Sequence, residues 1–144
     1  MIPTKETESA TAADWDRIHG QVQTILDSMV EGVRKKVAKL ASTGNRTPAT
    51  KICPLLTYRE FSWAEEPDLE AIIVAVRFHF SNRCLMAQGD IGGEETGCTY
   101  FETDEKPVAD NPSAVLGAAT EIAKRLSQQS VIVINALLER RSSP

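Results

Sequence analysis

Apolar residues recur at spacings of three and four from residue 15 onward, which is the pattern of an amphipathic helix. Acidic side chains lie in the first predicted turn and basic side chains toward the end, as the helix dipole favours. Polar residues and a glycine at 42–45 are typical of a helix stop. The spacing therefore predicts a long N-terminal helix from about Asp14, whose apolar stripe consists of Trp15, Ile18, Val22, Ile25, Leu26, Met29, Val33, Val37 and Leu40.

The apolar period changes to two after residue 54, which indicates β-strands. Residues 72–81 alternate in a β-branched and aromatic run and form the predicted central strand. An earlier strand over 55–63 is joined to it by a turn at Glu65–Asp68, which predicts an antiparallel hairpin. Turns at 81–83 and 89–97 lead into two more strands, so the pattern predicts a four-stranded antiparallel meander whose last strands are Cys84–Gln88 and Cys98–Thr103.

A second long helix is predicted from the capping sequence at residues 110–113, which places a proline in the first turn, to about Arg140. Within it, residues 131–134 are apolar around the whole helix circumference. Such a stretch is either deeply buried or part of a subunit contact, and a strand is the competing interpretation.

The order of elements predicts an α+β fold with both helices packed on one face of the sheet. Residues 1–13 are predicted to be a flexible tail and residues 14–141 a single domain. Helices longer than the strands overhang the sheet, which favours a homodimer. With the first turn centred between Glu66 and Pro67, the core face contains Leu55, Phe61, Trp63, Ile72, Val74, Val76, Phe78 and Phe80, and the opposite face contains Leu56, Tyr58, Glu60, Ile73, Ala75, Arg77, His79, Leu85 and Ala87.

The composition is that of one globular domain of 144 residues, 42% hydrophobic and 25% charged. No apolar run approaches the roughly 20 residues that span a bilayer. The polar N-terminus has no apolar signal region, and the three cysteines show no CxxC pair, so we expect free thiols and a cytoplasmic location. No motif indicates a cofactor.

The charge is unevenly distributed along the chain, although the net charge is only −4. Residues 59–105 are rich in acids, whereas residues 32–58 contain no acidic side chain. The basic segment could contact nucleic-acid phosphates, or it could simply be a solvated helix end. Its candidate phosphate-binding residues are Arg34, Lys35, Lys36, Lys39, Arg46 and Lys51.

A phenol, a carboxylate, a guanidinium and an imidazole fall on the predicted face away from the helices. These side chains are Tyr58, Glu60, Arg77 and His79, and together they could bind an anionic or polar ligand. The alternative is an ordinary sheet surface with cross-strand Glu–Arg and Tyr–His pairs. This group is the main candidate site.

A second candidate is the segment 89–97, which combines four glycines with three acids. Asp90, Glu94 and Glu95 would suit a hard cation better than a phosphate. A hairpin loop without a ligand is the alternative interpretation.

These features favour a non-enzymatic binding or regulatory protein that forms a homodimer and engages a protein partner through the exposed sheet face and helix overhangs. In element order and acidic composition the chain resembles small dimeric binding proteins such as bacterial secretion chaperones, and its order is similar to that of small nucleoid-associated dimers. The alternatives are a DNA-associated dimer that uses residues 34–51, and a small-ligand binding protein or enzyme that uses the four residues of the main candidate site.

Overall fold

The computed structural model describes residues 11–36, 40–42, 55–63 and 70–142. Along the chain it contains a helix, then a series of short and long strands, and then a second helix. Both helices pack against one antiparallel sheet, so the predicted α+β fold is confirmed. The elements are α1 (Ala12–Lys36), β1 (Leu40–Ser42), β2 (Leu55–Trp63), β3 (Ile72–Ser81), β4 (Cys84–Gly93), β5 (Thr99–Glu102), β6 (Lys106–Pro107) and α2 (Pro112–Ser142).

The sheet is an antiparallel meander in the order β1-β2-β3-β4-β5, with β6 also paired to β4. All four predicted strands are present, and β1 and β6 are short additions. Leu55 pairs with Phe78 and Leu56 with Arg77. This is the register that a turn centred between Glu66 and Pro67 requires, so the predicted pairing of the first hairpin is confirmed.

The core lies between the two helices and one face of the sheet. Alternate β3 side chains, from Ile72 to Phe78, are buried on this face, as predicted. Phe80 is 47% exposed at the end of β3, so its assignment to the core was wrong. The side chains of Phe61 and Trp63 are not among those that the structure describes. The helices contribute Ile18, Val22, Leu26, Met29, Val33, Val115, Ala119, Ile122 and Leu126 to the core.

The prediction that Leu85 and Ala87 lie on the opposite face was wrong. The two-residue turn between β3 and β4 makes Ser81 the partner of Cys84, and this places Leu85 opposite Phe80. Both Leu85 and Ala87 are therefore buried in the core. Because side chains alternate along a strand, the turn decides which β4 residues face outward.

The first helix begins at Ala12 and is capped by its neighbours. The Asp14 amide donates to Thr11 Oγ1 at 3.2 Å, and the Thr11 amide donates to Asp14 Oδ2 at 2.9 Å. Residues 1–10 of the predicted tail lie outside the described residues. The predicted end of this helix was too late, because Leu40–Ser42 pairs with β2 as strand β1.

The predicted loop at 89–97 is largely strand, since β4 continues to Gly93. Two of its glycines allow close packing on the core face. A side chain at Gly89 would overlap Ile122 and crowd Leu126 of α2, and one at Gly93 would overlap the Glu70 carboxylate. These glycines are therefore explained by the groups packed over them.

An ion pair between a buried guanidinium and a half-exposed carboxylate connects α1 to β2. The Arg59 side chain is only 2% exposed, and its Nε donates to Asp27 Oδ1 at 2.7 Å. Its remaining nitrogens donate to the carbonyl oxygens of Tyr58 and Gln23, at 2.9 and 3.3 Å. A buried guanidinium is tolerated only with such partners, so this contact fixes α1 over the edge of β2.

The second helix is continuous from Pro112 to Ser142, which decides the helix-or-strand alternative at 131–134 in favour of helix. The Asn111 side chain caps it by accepting from the Ala114 amide at 2.9 Å. Ile134 is fully buried, whereas Ile132 on the opposite side is 60% exposed. Within the described ranges, neither α1 nor α2 has the length of apolar sequence that a membrane crossing requires.

We predict that Gly89→Ala lowers the free energy of unfolding by about 1–3 kcal/mol, because the added methyl group overpacks the contact between β4 and α2. Gly117→Ala is the matched control, since nothing lies within 4 Å of its would-be Cβ and it is exposed on a helix. That variant should be more stable by up to about 1 kcal/mol. Urea denaturation measures both. A Gly89→Ala protein as stable as the parent would contradict the close packing.

Candidate functional site

The face of the sheet away from α1 and α2, here called the outward face, carries the main candidate residues. The register places Tyr58 opposite Ala75, Glu60 opposite Ile73, and Leu56 opposite Arg77. Tyr58, Glu60, Arg77 and His79 therefore share this face, as alternation along β2 and β3 requires. From β4 the outward face receives Met86, Gln88 and Asp90, which sequence reasoning did not include.

The charged groups of this face are joined in pairs that differ from the predicted ones. Arg77 Nη2 donates to Asp90 Oδ2 across the β3–β4 ladder, and His79 Nε2 lies 3.3 Å from Glu105 Oε1. Glu60 is 6% exposed and lies opposite Ile73, two same-face positions before Arg77 along β3. The structure therefore brings Arg77 and His79 together with Asp90 and Glu105 rather than with Glu60.

A shallow groove of about 350 Å³ lies at one end of the outward face, where Arg77 and His79 occupy successive outward positions of β3. Tyr58 and Glu60 lie further along the face and do not line it. Leu56 supplies an apolar wall and Gln88 an amide across from Arg77. The full set of lining residues is Leu55, Leu56, Arg77, Phe78, His79, Gln88 and Glu105.

Partial burial controls the electrostatics beside this groove. Burial raises the pKa of the Asp90 carboxyl above its ordinary value, the Arg77 guanidinium opposes that rise, and the Glu102 carboxylate adds to it. Glu102 is the β5 partner of Asp90. Arg77 thus favours the ionised form of Asp90 in a position where burial and a like charge both disfavour that form.

The candidate cation ligands do not converge. Asp90 is bound by Arg77 within β4, whereas Glu94 and Glu95 follow in the turn after the strand. Among residues 11–36, 40–42, 55–63 and 70–142, no three His, Cys, Asp or Glu side chains group closely enough to hold a metal ion. The cation hypothesis therefore gains no support from the geometry.

An acid that the sequence did not single out organises this turn. The Glu70 carboxylate accepts from the Tyr100 hydroxyl at 2.7 Å and from the Thr96 amide at 2.8 Å. It also accepts from the Thr96 hydroxyl and the Glu95 amide. These hydrogen bonds, that from Tyr100 first, hold the pKa of Glu70 below its ordinary value. Glu70 thus fastens the β4–β5 turn to the start of β3.

The basic segment is only partly described. Arg34, Lys35 and Lys36 are exposed in the last turn of α1, and Arg34 pairs with Glu31 at 2.9 Å. Lys39, Arg46 and Lys51 lie outside the described residues. A phosphate-binding role for this segment stays a prediction.

Comparison with known proteins gives no relative for this chain. No family model, no curated protein and no solved structure matches it. The candidate site is therefore defined by geometry and charge alone.

We predict that Arg77→Ala destabilises the fold by about 1 kcal/mol at pH 7 and by less in acid, because part of this ion pair is exposed. The raised pKa means that ionised Asp90 costs stability as pH rises through that pKa, and Arg77 offsets this cost. Below it Asp90 is protonated, so losing Arg77 matters less. Urea titrations of the parent and the Arg77→Ala variant, at pH 7 and at a pH below the pKa of Asp90, measure the difference.

Asp90→Asn is the control for this prediction, since it removes the acid and leaves an amide of similar shape. In the Asp90→Asn background, Arg77→Ala should lose most of its effect at pH 7. An equal loss of stability from Arg77→Ala at pH 7 and at low pH would contradict the proposed role of Arg77.

Proposed function

We propose that the protein is a non-enzymatic binding or regulatory protein that works as a homodimer and engages a protein partner through the outward face. The observation that carries the proposal is the arrangement of this face, where ion-paired charges lie beside half-buried apolar side chains at an open groove. The groove edge combines Leu56, Arg77, His79 and Gln88.

The residue types of the outward face are those of protein interfaces. Interfaces are enriched in aromatic residues, Met and Arg relative to the rest of the surface. Tyr58, Met86 and Arg77 are half-buried side chains of these three kinds, and Ile73 adds an aliphatic surface beside them. A sheet surface of this mixture suits contact with another polypeptide.

The paired charges support recognition of a polar surface. Arg77 is balanced by the Asp90 carboxylate, and His79 Nε2 lies 3.3 Å from Glu105 Oε1, so a partner can bind by exchanging its own polar groups for Asp90 or Glu105. Such an exchange leaves few additional charges buried without a partner. It contributes to specificity more than to affinity. The open groove suits an extended segment better than it suits a small molecule, whose site normally encloses most of its surface.

In this proposal the protein acts in the cytoplasm. Cys84 and Cys98 are both exposed free thiols, which supports a reducing compartment. Cys53 lies outside the described residues.

The test is affinity capture from an extract of the source cells, with quantitative mass spectrometry of the bound proteins. We expect Arg77→Ala combined with His79→Ala to release a protein that the parent chain retains. Arg83→Ala is the matched control, because Arg83 is exposed on the turn at the same end of the sheet and does not line the groove. It should retain that protein.

Circular dichroism of each variant shows that the fold is intact. An identical set of captured proteins for the parent and the double variant would contradict the proposal. So would loss of the same protein from the Arg83→Ala variant.

A further inference from the structure

A second groove, here called the α2 groove, lies between α2 and the sheet edge formed by β5 and β6, on the side of the sheet that carries the helices. Its volume is about 270 Å³. Ala87 of β4 and Ala118 and Ile122 of α2 give it apolar walls. Ala87 and Ile122 belong to the buried core, so the α2 groove opens directly onto the core. The short side chains of the two alanines leave the space between helix and strand.

An extra residue in the sheet edge supplies polar side chains to the α2 groove. The Thr103 amide donates to the Gly89 carbonyl oxygen, and Lys106 pairs with Ala87. Between these two pairs β4 has one residue and the edge has two, which is a β-bulge. The bulge brings Asp104 to the α2 groove beside Thr103, although strict alternation would turn it to the outward face. Bulges re-aim side chains in this way next to functional sites.

Charged side chains of both signs line the α2 groove. Asp104 and Glu121 are acidic, Lys106 and Arg125 are basic, and all four are exposed. Within the described part of the chain, none of the four makes a side-chain hydrogen bond or ion pair. Opposite charges therefore lie around one apolar groove without neutralising each other by direct contact.

Two hydrogen-bond donors are already held in position for an anion. The Arg125 guanidinium packs over the Phe101 ring, 5.6 Å from its centroid, which fixes the group without using its N–H donors. Thr103 is 4% exposed, and its hydroxyl accepts from the Gly89 amide at 3.0 Å. No described residue accepts the hydrogen of this hydroxyl, so it can donate to a ligand. Donors held in place before binding lower the entropic cost of capturing a carboxylate.

The mixture of charges selects a ligand that carries both signs. A simple anion would meet the carboxylates of Asp104 and Glu121, and a simple cation would meet Lys106 and Arg125. A zwitterion can place its carboxylate beside the cations and its ammonium group beside the acids. The apolar walls require an apolar body, and a volume of about 270 Å³ lies just below the usual range for drug-sized ligands. These requirements describe a molecule of amino-acid size.

We propose that the α2 groove binds a free α-amino acid with an apolar side chain. Arg125 and Thr103 donate to its carboxylate, Asp104 and Glu121 accept from its ammonium group, and its side chain packs against Ala118. The α2 groove and the outward face lie on opposite sides of the sheet. This inference goes beyond the proposed function and holds whether or not the outward face binds a protein.

Titration of the isotope-labelled parent chain with L-valine, L-leucine and L-phenylalanine, followed by amide chemical shifts, tests the ligand class. At least one of the three should give saturable shifts centred on Thr103, Lys106 and Ala118, which line the α2 groove. No saturation by any of them below roughly 10 mM would overturn the proposal, because a ligand of this size that fits its site binds more tightly than that. Saturable shifts centred elsewhere would also overturn it.

Blocked forms of the amino acid that binds best test the need for both charges. The N-acetyl form lacks the ammonium group and the amide form lacks the carboxylate, so each should bind more weakly by roughly tenfold or more. Equal binding of either form would overturn the proposal. The form blocked at both ends resembles a residue within a polypeptide and should be weaker still. Equal binding of that form would overturn the proposal and assign the α2 groove to a polypeptide.

Charge-neutral variants test the residues. Arg125→Gln and Glu121→Gln should each weaken binding of the amino acid by roughly tenfold or more, since each leaves one ligand charge without a partner. Lys124→Gln is the matched control, because Lys124 is exposed on the same helix and does not line the α2 groove. It should bind like the parent chain. All three positions are exposed, so the amide spectra should show an unchanged fold. Parent affinity in either groove variant, or an equal loss in Lys124→Gln, would overturn the proposal.

Discussion

The alternation of side chains along β3 is the constraint on which the rest of the structure depends. Ile72, Val74 and Val76 are fully buried, and they require a cover of apolar helix surface. Both helices provide it from the same side. The alternate residues of β3, including Arg77 and His79, are consequently placed on the outward face. The candidate site is thus positioned by the same alternation that builds the core.

The first hairpin was predictable because its turn has a strong local signal. Pro67 and the acids around it are residues that favour a turn, and a predicted centre between Glu66 and Pro67 gives the observed pairing of Leu55 with Phe78. The second hairpin lacks that signal. Its turn needs positive φ at both central residues. The φ angle is 51° at Asn82 and 65° at Arg83. Such turns favour Asn followed by Gly, and arginine is not expected there.

This difference explains which parts of the site were found. Alternation along the first two predicted strands, with a turn centred between Glu66 and Pro67, placed Tyr58, Glu60, Arg77 and His79 on one face. The carboxylates that pair with Arg77 and His79 depend on the β4 register and on the segment after β5, which local pattern does not specify. Similarly, Gly89 has a clear role only when Ile122 of α2 is known to lie across from it. A glycine gives the same sequence signal in a flexible loop and in a tightly packed strand.

Buried and shielded polar groups hold the elements in place around this core. Arg59 ties α1 to β2 through Asp27, and Glu70 ties the β4–β5 turn to β3 through Tyr100 and Thr96. Each bond joins residues that are distant in sequence, so spacing rules give no indication of them. Their effect is to fix the positions of the helix layer and of the outward face.

The central claim is that the outward face, with its groove beside Arg77 and His79, is the surface for a protein partner. Hydroxyl-radical footprinting, read residue by residue with and without the captured protein, tests it most directly. The account predicts that Met86 and His79 become protected when that protein binds, while the reactivity of Ile132 on α2 does not change. Protection of Ile132 with Met86 and His79 unchanged would contradict it.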